Sequence, residues 1–201
     1  MGVGIYMNEL QSFNCNYPSY TGAANFQTSS SGFEIQPIVN CRNMITDNVE
    51  STDAGKYSIF DIADWFLNKS DMTHKKLQKL CYYAQAWCYA IKGYRLIDTD
   101  FEAWVHGPVS PALWEKFKSF GFDTIRLHGY KDDIIEAQDK QLLDDVWETY
   151  GDYTGNALEA LSHRERPWLE ARFGYAEDER CNVVISSKAM ADYYRSIYNA
   201  N

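Results

Sequence analysis

A chain of 201 residues is long enough for one domain with a substantial core and too short for two of full size. Its 28 acidic and 19 basic residues leave a formal charge of -9, which disfavours nucleic acid as a partner because the average surface repels a phosphate backbone. Five cysteines without a C-x-x-C pair argue against a disulfide framework or a zinc knuckle, and no apolar run has the length of a membrane span or secretory signal, so the expected setting is cytoplasmic with no membrane attachment.

Residues 1–56 read as an N-terminal extension, rich in Asn, Ser, Thr and Gly and without a sustained helical period. Aromatic residues are spaced along this polar background, and it ends in the β-favouring run "FEIQPIV". Such a segment is expected to be flexible or to fold on a partner, with Tyr17, Tyr20, Phe26 and Phe33 as candidate anchors. The alternative is a linker whose rings pack on their own domain.

Residues 57–201 read as a helical domain. Ser58 and Asp61 have the spacing of a capping box, and Ile59, Ile62, Ala63, Phe66 and Leu67 make the apolar stripe of a helix over about 59–68. Thr73 is placed to cap the longest helix, which Gly93 closes. Leu77, Leu80, Cys81, Ala84, Trp87, Cys88 and Ile91 form its apolar face, and the scarcity of charge elsewhere predicts a central position. Lys75, Lys76 and Lys79 cluster in its first turns, either to meet an anion or acidic partner or to keep an exposed end solvated. Lys79 is expected on the side opposite Trp87, where a substitution would spare the fold.

Phe101–Val105 reads as a short extended connector, broken by Gly107-Pro108. Ser110-Pro111 then opens a helix with Leu113, Trp114, Phe117 and Phe120 directed inward. A helix over about 137–150 places Leu142, Leu143, Val146, Trp147 and Tyr150 inside and Asp144, Asp145 and Glu148 on a solvated face. Thr154 caps a shorter helix, another restarts at Pro167, and Ser186 or Ser187 caps the last. The predicted fold is all-α: a single bundle-like domain of six or seven helices, with a minor extended element near 101–105.

The usual catalytic constellations are missing. His74, His106, His128 and His163 occur singly, without a short-spaced ligand pair, so no metal site is expected. Cys81 and Cys88 fall on the apolar face of the central helix and read as buried thiols rather than nucleophiles. No phosphate-cradling or nucleophile-elbow motif occurs, and neither a cofactor nor a catalytic residue is predicted.

Three segments, "KLQKLCYYAQAW", "FEAWVHGPVSPALW" and "LSHRERPWLEAR", in this order and spacing resemble the Panacea domain of SocA-like antitoxins, over about Ser58 to Tyr198. The resemblance implies a helical, non-enzymatic antitoxin of a type II toxin–antitoxin system that neutralises a cognate protein toxin by direct binding. Small alarmone-synthetase-like enzymes are among the toxins it implies. Proteolytic delivery of the toxin to an ATP-dependent protease is the alternative the family offers, and a DNA-binding regulator is a second. The family pattern falls on Lys76, Leu77, Lys79, Leu80 and Tyr83, on Gly107, Pro108, Val109 and Pro111, and on His163, Pro167 and Trp168, with His163 expected to hydrogen-bond the last carbonyls of its helix or the turn before Pro167-Trp168. Candidate toxin contacts in the helical domain are Lys75, Lys79 and Tyr82. The N-terminal extension departs from the family and carries neither a helix-turn-helix pattern nor a zinc-ligand set, so transcriptional self-repression is not expected.

Overall fold

Local signals place most of the helix ends in the computed structural model, which describes residues 54–126 and 134–199. Ser58 and Asp61 form the reciprocal capping box that starts α1 (Ile59–Lys69). The Thr73 hydroxyl accepts from the Lys76 amide and opens α2 (His74–Ile91), which ends at Gly93 in the left-handed conformation, φ 75°. After α3 (Pro111–Phe117) and a 3-10 turn (Lys118–Phe120) come α4 (Ala137–Tyr150), α5 (Gly155–Ser162), α6 (Arg166–Ala171) and α7 (Ser187–Asn199). Thr154 caps α5 through the Ala157 amide, and the Ser186 hydroxyl accepts from Ala189 at the start of α7.

The central position of α2 follows from its lack of a polar face: every residue from Leu77 to Cys88 is buried. The helices α1, α4, α5 and α7 pack around it, α7 most extensively. Trp87 is buried and donates its indole N–H to the Tyr150 hydroxyl at 3.1 Å. Tyr83 stacks on Tyr150 with ring centres 4.1 Å apart, and Tyr82 sits edge-on to Phe101. The Glu165 carboxyl is buried among these rings, accepting from Tyr194 at 2.7 Å and Tyr83 at 3.3 Å. Burial outweighs these two donors and pushes its pKa up to about 8.

The fold is mostly helical, but the all-α expectation needs a correction. Two small antiparallel sheets are present: β1 (Met72–Thr73) with β4 (Thr124–Ile125), and the hairpin β2 (Glu102–Trp104) with β3 (Gly107–Val109). The extended element foreseen near 101–105 is the first strand of this hairpin. Its second strand was hidden because Gly107-Pro108 reads locally as a break. Pro108 pairs with Ala103, the Ala103 N–H of β2 donates to the Val183 carbonyl, and Phe101, just ahead of β2, accepts from the Ile185 N–H.

Two side-chain placements also differ. Trp114 and Phe120 are 36% and 39% exposed rather than inward. Leu113 and Phe117, one helical turn apart, occupy the core, and Trp114 is rotated by about 100° from Leu113. Asp139, which the apolar stripe of its helix does not mark, is fully buried at the start of α4. It accepts from Lys56 Nζ at 2.8 Å, Tyr57 OH at 2.8 Å, Lys92 Nζ at 3.0 Å and the Tyr94 hydroxyl.

Candidate functional site

The three sequence segments that carry the family resemblance meet at the start of α2. Lys79 turns inward, 1% exposed, and its ammonium donates to the carbonyls of His106 at 2.5 Å and Pro108 at 3.0 Å. Gln78 pairs with both backbone groups of Ser110, accepting from its N–H at 2.8 Å and donating to its C=O at 3.1 Å. These side chains hold the β2–β3 hairpin and the start of α3 against α2. Gly107 is required at the centre of this corner: its φ is +90°, and a Cβ there would lie 2.8 Å from both Lys79 Nζ and Ser162 Oγ.

The same corner receives α5 and α6. Lys75 donates to Glu159 at 2.5 Å and Asn156 at 3.0 Å, and His106 Nδ1 lies 2.9 Å from the other Glu159 oxygen. Burial pushes the Glu159 carboxyl up, but the hydrogen bonds from Lys75 and His106 prevail and hold it below its ordinary value. Lys76, half-buried, donates to the Gly151 carbonyl. Tyr83 reaches Glu165 at the start of α6, and Trp168 donates its indole N–H to the Trp104 carbonyl at 3.1 Å. His163 stacks on Trp168 at 4.1 Å, and its Nε2 has no hydrogen-bond partner, contrary to the capping role expected for it.

Desolvation dominates the electrostatics. It lowers Lys79 to about 7, with Glu159 offsetting only part of the effect. His74 is pulled down to about 4 by burial and then by the Lys79 charge. His163 is also lowered to about 4, again chiefly by burial.

Above this corner opens a cleft of about 440 Å³. Lys79, Gln78 and His74 line its floor, with Lys75 and residues Thr154–Asn156 on one side. Trp104, Trp114 and Phe122 supply an aromatic rim. Trp104 and Trp114 meet edge to face at 5.6 Å, and Phe122 is 95% exposed. The two threonine hydroxyls in the lining, Thr73 and Thr154, act as helix caps, and Glu159 engages His106. Its lining suits recognition of another molecule: an apolar rim beside a few polar side chains. Among the described residues, no group of three His, Cys, Asp or Glu side chains is placed to hold a metal ion.

The predicted contact residues are distributed unevenly. Lys75 faces the cleft, whereas Lys79 belongs to its buried support and Tyr82 is fully buried, which removes Tyr82 from any docking surface. Leu77, Leu80, Tyr83, Val109 and Trp168 are buried packing residues, as are Pro108 and Pro167, and Pro111 starts α3. Tyr17, Tyr20, Phe26 and Phe33 lie outside the described residues. Sequence reasoning missed Trp104 and Phe122 as cleft residues, and Glu159 as the partner of Lys75 and His106. Their residue types alone carry no such signal, although Gly121 ahead of Phe122 marks the chain break that projects that ring outward.

These elements define a mostly helical domain built around one buried helix, with an aromatic-rimmed cleft at that helix's N-terminus. Residues 77–169 match the family described as antitoxin SocA-like, Panacea domain. Antitoxin SocA of Caulobacter vibrioides (strain NA1000 / CB15N) is 27% identical over 168 residues, covering 75% of this chain and 87% of the relative. No solved structure matches the chain significantly. Over the matched residues the chain is similar to the SocA-like Panacea domain.

Proposed function

We propose that this protein is the antitoxin of a type II toxin–antitoxin pair and neutralises a cognate protein toxin by binding it directly, without catalysis. The observation that carries this reading is the family match: it spans the α2, hairpin and α6 segments whose side chains interlock into one corner. That corner supports an open cleft with large exposed apolar side chains, the surface chemistry of a protein-binding site. The charge of -9 counts against a DNA-binding role.

Co-expression with the product of the adjacent reading frame, followed by assay of the two purified proteins, tests the proposal. The expected outcome is growth rescue and loss of toxin activity at an equimolar ratio, with the two proteins co-eluting. A toxin that stays fully active at that ratio overturns direct neutralisation. Rescue confined to cells with an intact ATP-dependent protease would assign the protein the adaptor role instead.

A further inference from the structure

The small sheet formed by β2 and β3 has one closed edge and one open edge. Beyond β3, the carbonyls of His106 and Pro108 accept from the buried Lys79 ammonium, which closes that side. Beyond β2, residues 182–185 run antiparallel and add a short third strand, with Val184 opposite Glu102. The bonds from Ala103 N–H to the Val183 carbonyl and from Ile185 N–H to the Phe101 carbonyl flank that pair. In this pattern the N–H and C=O of Val184 point away from β2. Neither has a hydrogen-bond partner among the described residues. The edge is firmly built, because the buried Arg172 guanidinium donates to Ala103 of β2 and to the carbonyls of Ala176, Glu177 and Glu179 in the loop before it. Exposed edges are ordinarily guarded by charge or proline. Residues 182–185 carry neither, and Val183 and Val184 are 39% and 48% exposed.

The face of this edge has a definite charge. Side chains opposite one another, or two apart on one strand, share a face, so Val184 lies beside Glu102 and Trp104. The half-buried Glu102 carboxylate accepts from the Trp104 indole N–H at 2.7 Å and has no ion pair among the described residues. The loop leading to the edge exposes Glu177, Asp178 and Glu179 against one cation, Arg180.

We propose that the toxin adds an extended segment to this open edge, pairing its backbone with Val184 and setting a Lys or Arg side chain beside Val184, against Glu102 and the Trp104 ring. The proposal rests on the antitoxin reading and deepens it by naming the docking edge and the chemistry of its occupant. Backbone pairing supplies affinity in such additions, and the side chain at the paired position selects the partner. The added strand lies two spacings of about 4.8 Å from β2, a gap that the long stem of a Lys or Arg spans across Val184 toward Glu102. A carboxylate beside an aromatic ring suits a cation. Charge selects against the other strands at hand. A second copy would bring Glu102 and the loop carboxylates toward their equals in a chain of charge -9, and the chain's own run "FEIQPIV" carries Glu34 and no cation. Trp104 also meets Trp114, so a segment on this edge runs beside the aromatic rim of the cleft.

The test uses the full chain with the adjacent-frame toxin, comparing Val184→Pro, Glu102→Lys and, as the same charge change on exposed α4 surface, Glu148→Lys. The two edge variants should lose on the order of tenfold or more in toxin affinity while their melting curves stay close to the parent, and Glu148→Lys should bind as the parent does. Hydrogen exchange at the Val184 amide should be fast in the free chain and slowed in the complex, which decides the matter if Val184→Pro melts early. Exchanging one toxin Lys or Arg for Glu should restore binding to Glu102→Lys, which a merely structural defect would not allow. Parental affinity in Glu102→Lys, or an unprotected Val184 amide in the complex, overturns the proposal and leaves the antitoxin reading intact. Protection already present in the free chain overturns it as well: its loss on removing residues 1–53 would give the edge to the chain's own leader, and its rise with protein concentration would give it to a second copy.

Should the parent chain fail to bind the toxin, the antitoxin reading falls, and a labelled Gly-Thr-Val-Lys-Val-Thr-Gly peptide amide then tests the edge by itself. Saturable binding that protects the Val184 amide and is lost with a Glu-for-Lys peptide supports the basic extended occupant. No such binding overturns it.

Discussion

Lys79 shows how far one residue's role depends on geometry. Eight residues separate it from Trp87, which at 100° per residue leaves the two about 80° apart, so both lie toward the packed side of α2. The expectation that Lys79→Glu would spare the fold is therefore withdrawn. Its ammonium satisfies two carbonyls at the hairpin corner, and a carboxylate there would repel both. Lys79→Met leaves those carbonyls without their donor and should cost about 2–3 kcal/mol, while Lys79→Glu should prevent stable folding. The pH dependence has a definite sign. With a folded pKa near 7 and an unfolded value of about 10.4, the unfolded chain holds more protons in that interval. This group's contribution to stability therefore rises from about pH 7 to pH 10. Urea unfolding at pH 7 and pH 9 should show that rise in the parent and its loss in Lys79→Met.

Among the elements, α4 is held by an interaction that its apolar stripe does not reveal. Asp139 joins the start of α4 to Lys56 and Tyr57 ahead of α1, and to Lys92 and Tyr94 beyond the end of α2. Burial raises its pKa, but hydrogen bonds from Lys56, Tyr94, Lys92 and Tyr57 reverse that effect and bring it down to about 2. A depressed carboxylate stabilises the fold above its unfolded pKa, so this contribution is complete above about pH 4 and is lost as pH falls toward 2. Asp139→Asn should cost about 3 kcal/mol at neutral pH, since it leaves two partly buried ammonium groups without their carboxylate, and should flatten the acid limb of the stability curve. Denaturant midpoints between pH 2 and pH 6 would check both effects. The helix starts themselves were legible, because Ser58, Thr73, Thr154 and Ser186 bond to amides only two or three residues away. Asp139 was not, because its partners lie between 45 and 83 residues distant.

For the whole molecule, the boundary of the helical domain is the accessible question. Gly55 approaches the backbone so closely that a Cβ would lie 2.2 Å from Asp98 N, and the Lys56 N–H donates to the Arg95 carbonyl at 3.1 Å. A truncation that respects the fold should therefore retain Gly55. Removing residues 1–53 is expected to leave helical circular dichroism and the denaturant midpoint near the parent's while weakening toxin neutralisation, if Tyr17, Tyr20, Phe26 and Phe33 act as anchors. Full neutralisation by the truncated protein would make those residues a linker.

The sequence by itself determined the helical class, the centrality of α2 and the resemblance to the SocA-like Panacea domain, because caps, apolar periodicity and turn residues act within a few positions of one another. Only the tertiary structure decided that Lys79 and Tyr82 are interior, that Trp114 and Phe122 are presented outward, and that Lys75 meets Glu159 across 84 residues of chain. The cleft exists because α2, the hairpin, α3 and α5 converge from separate parts of the chain, and no local pattern encodes the direction in which each then turns its side chains.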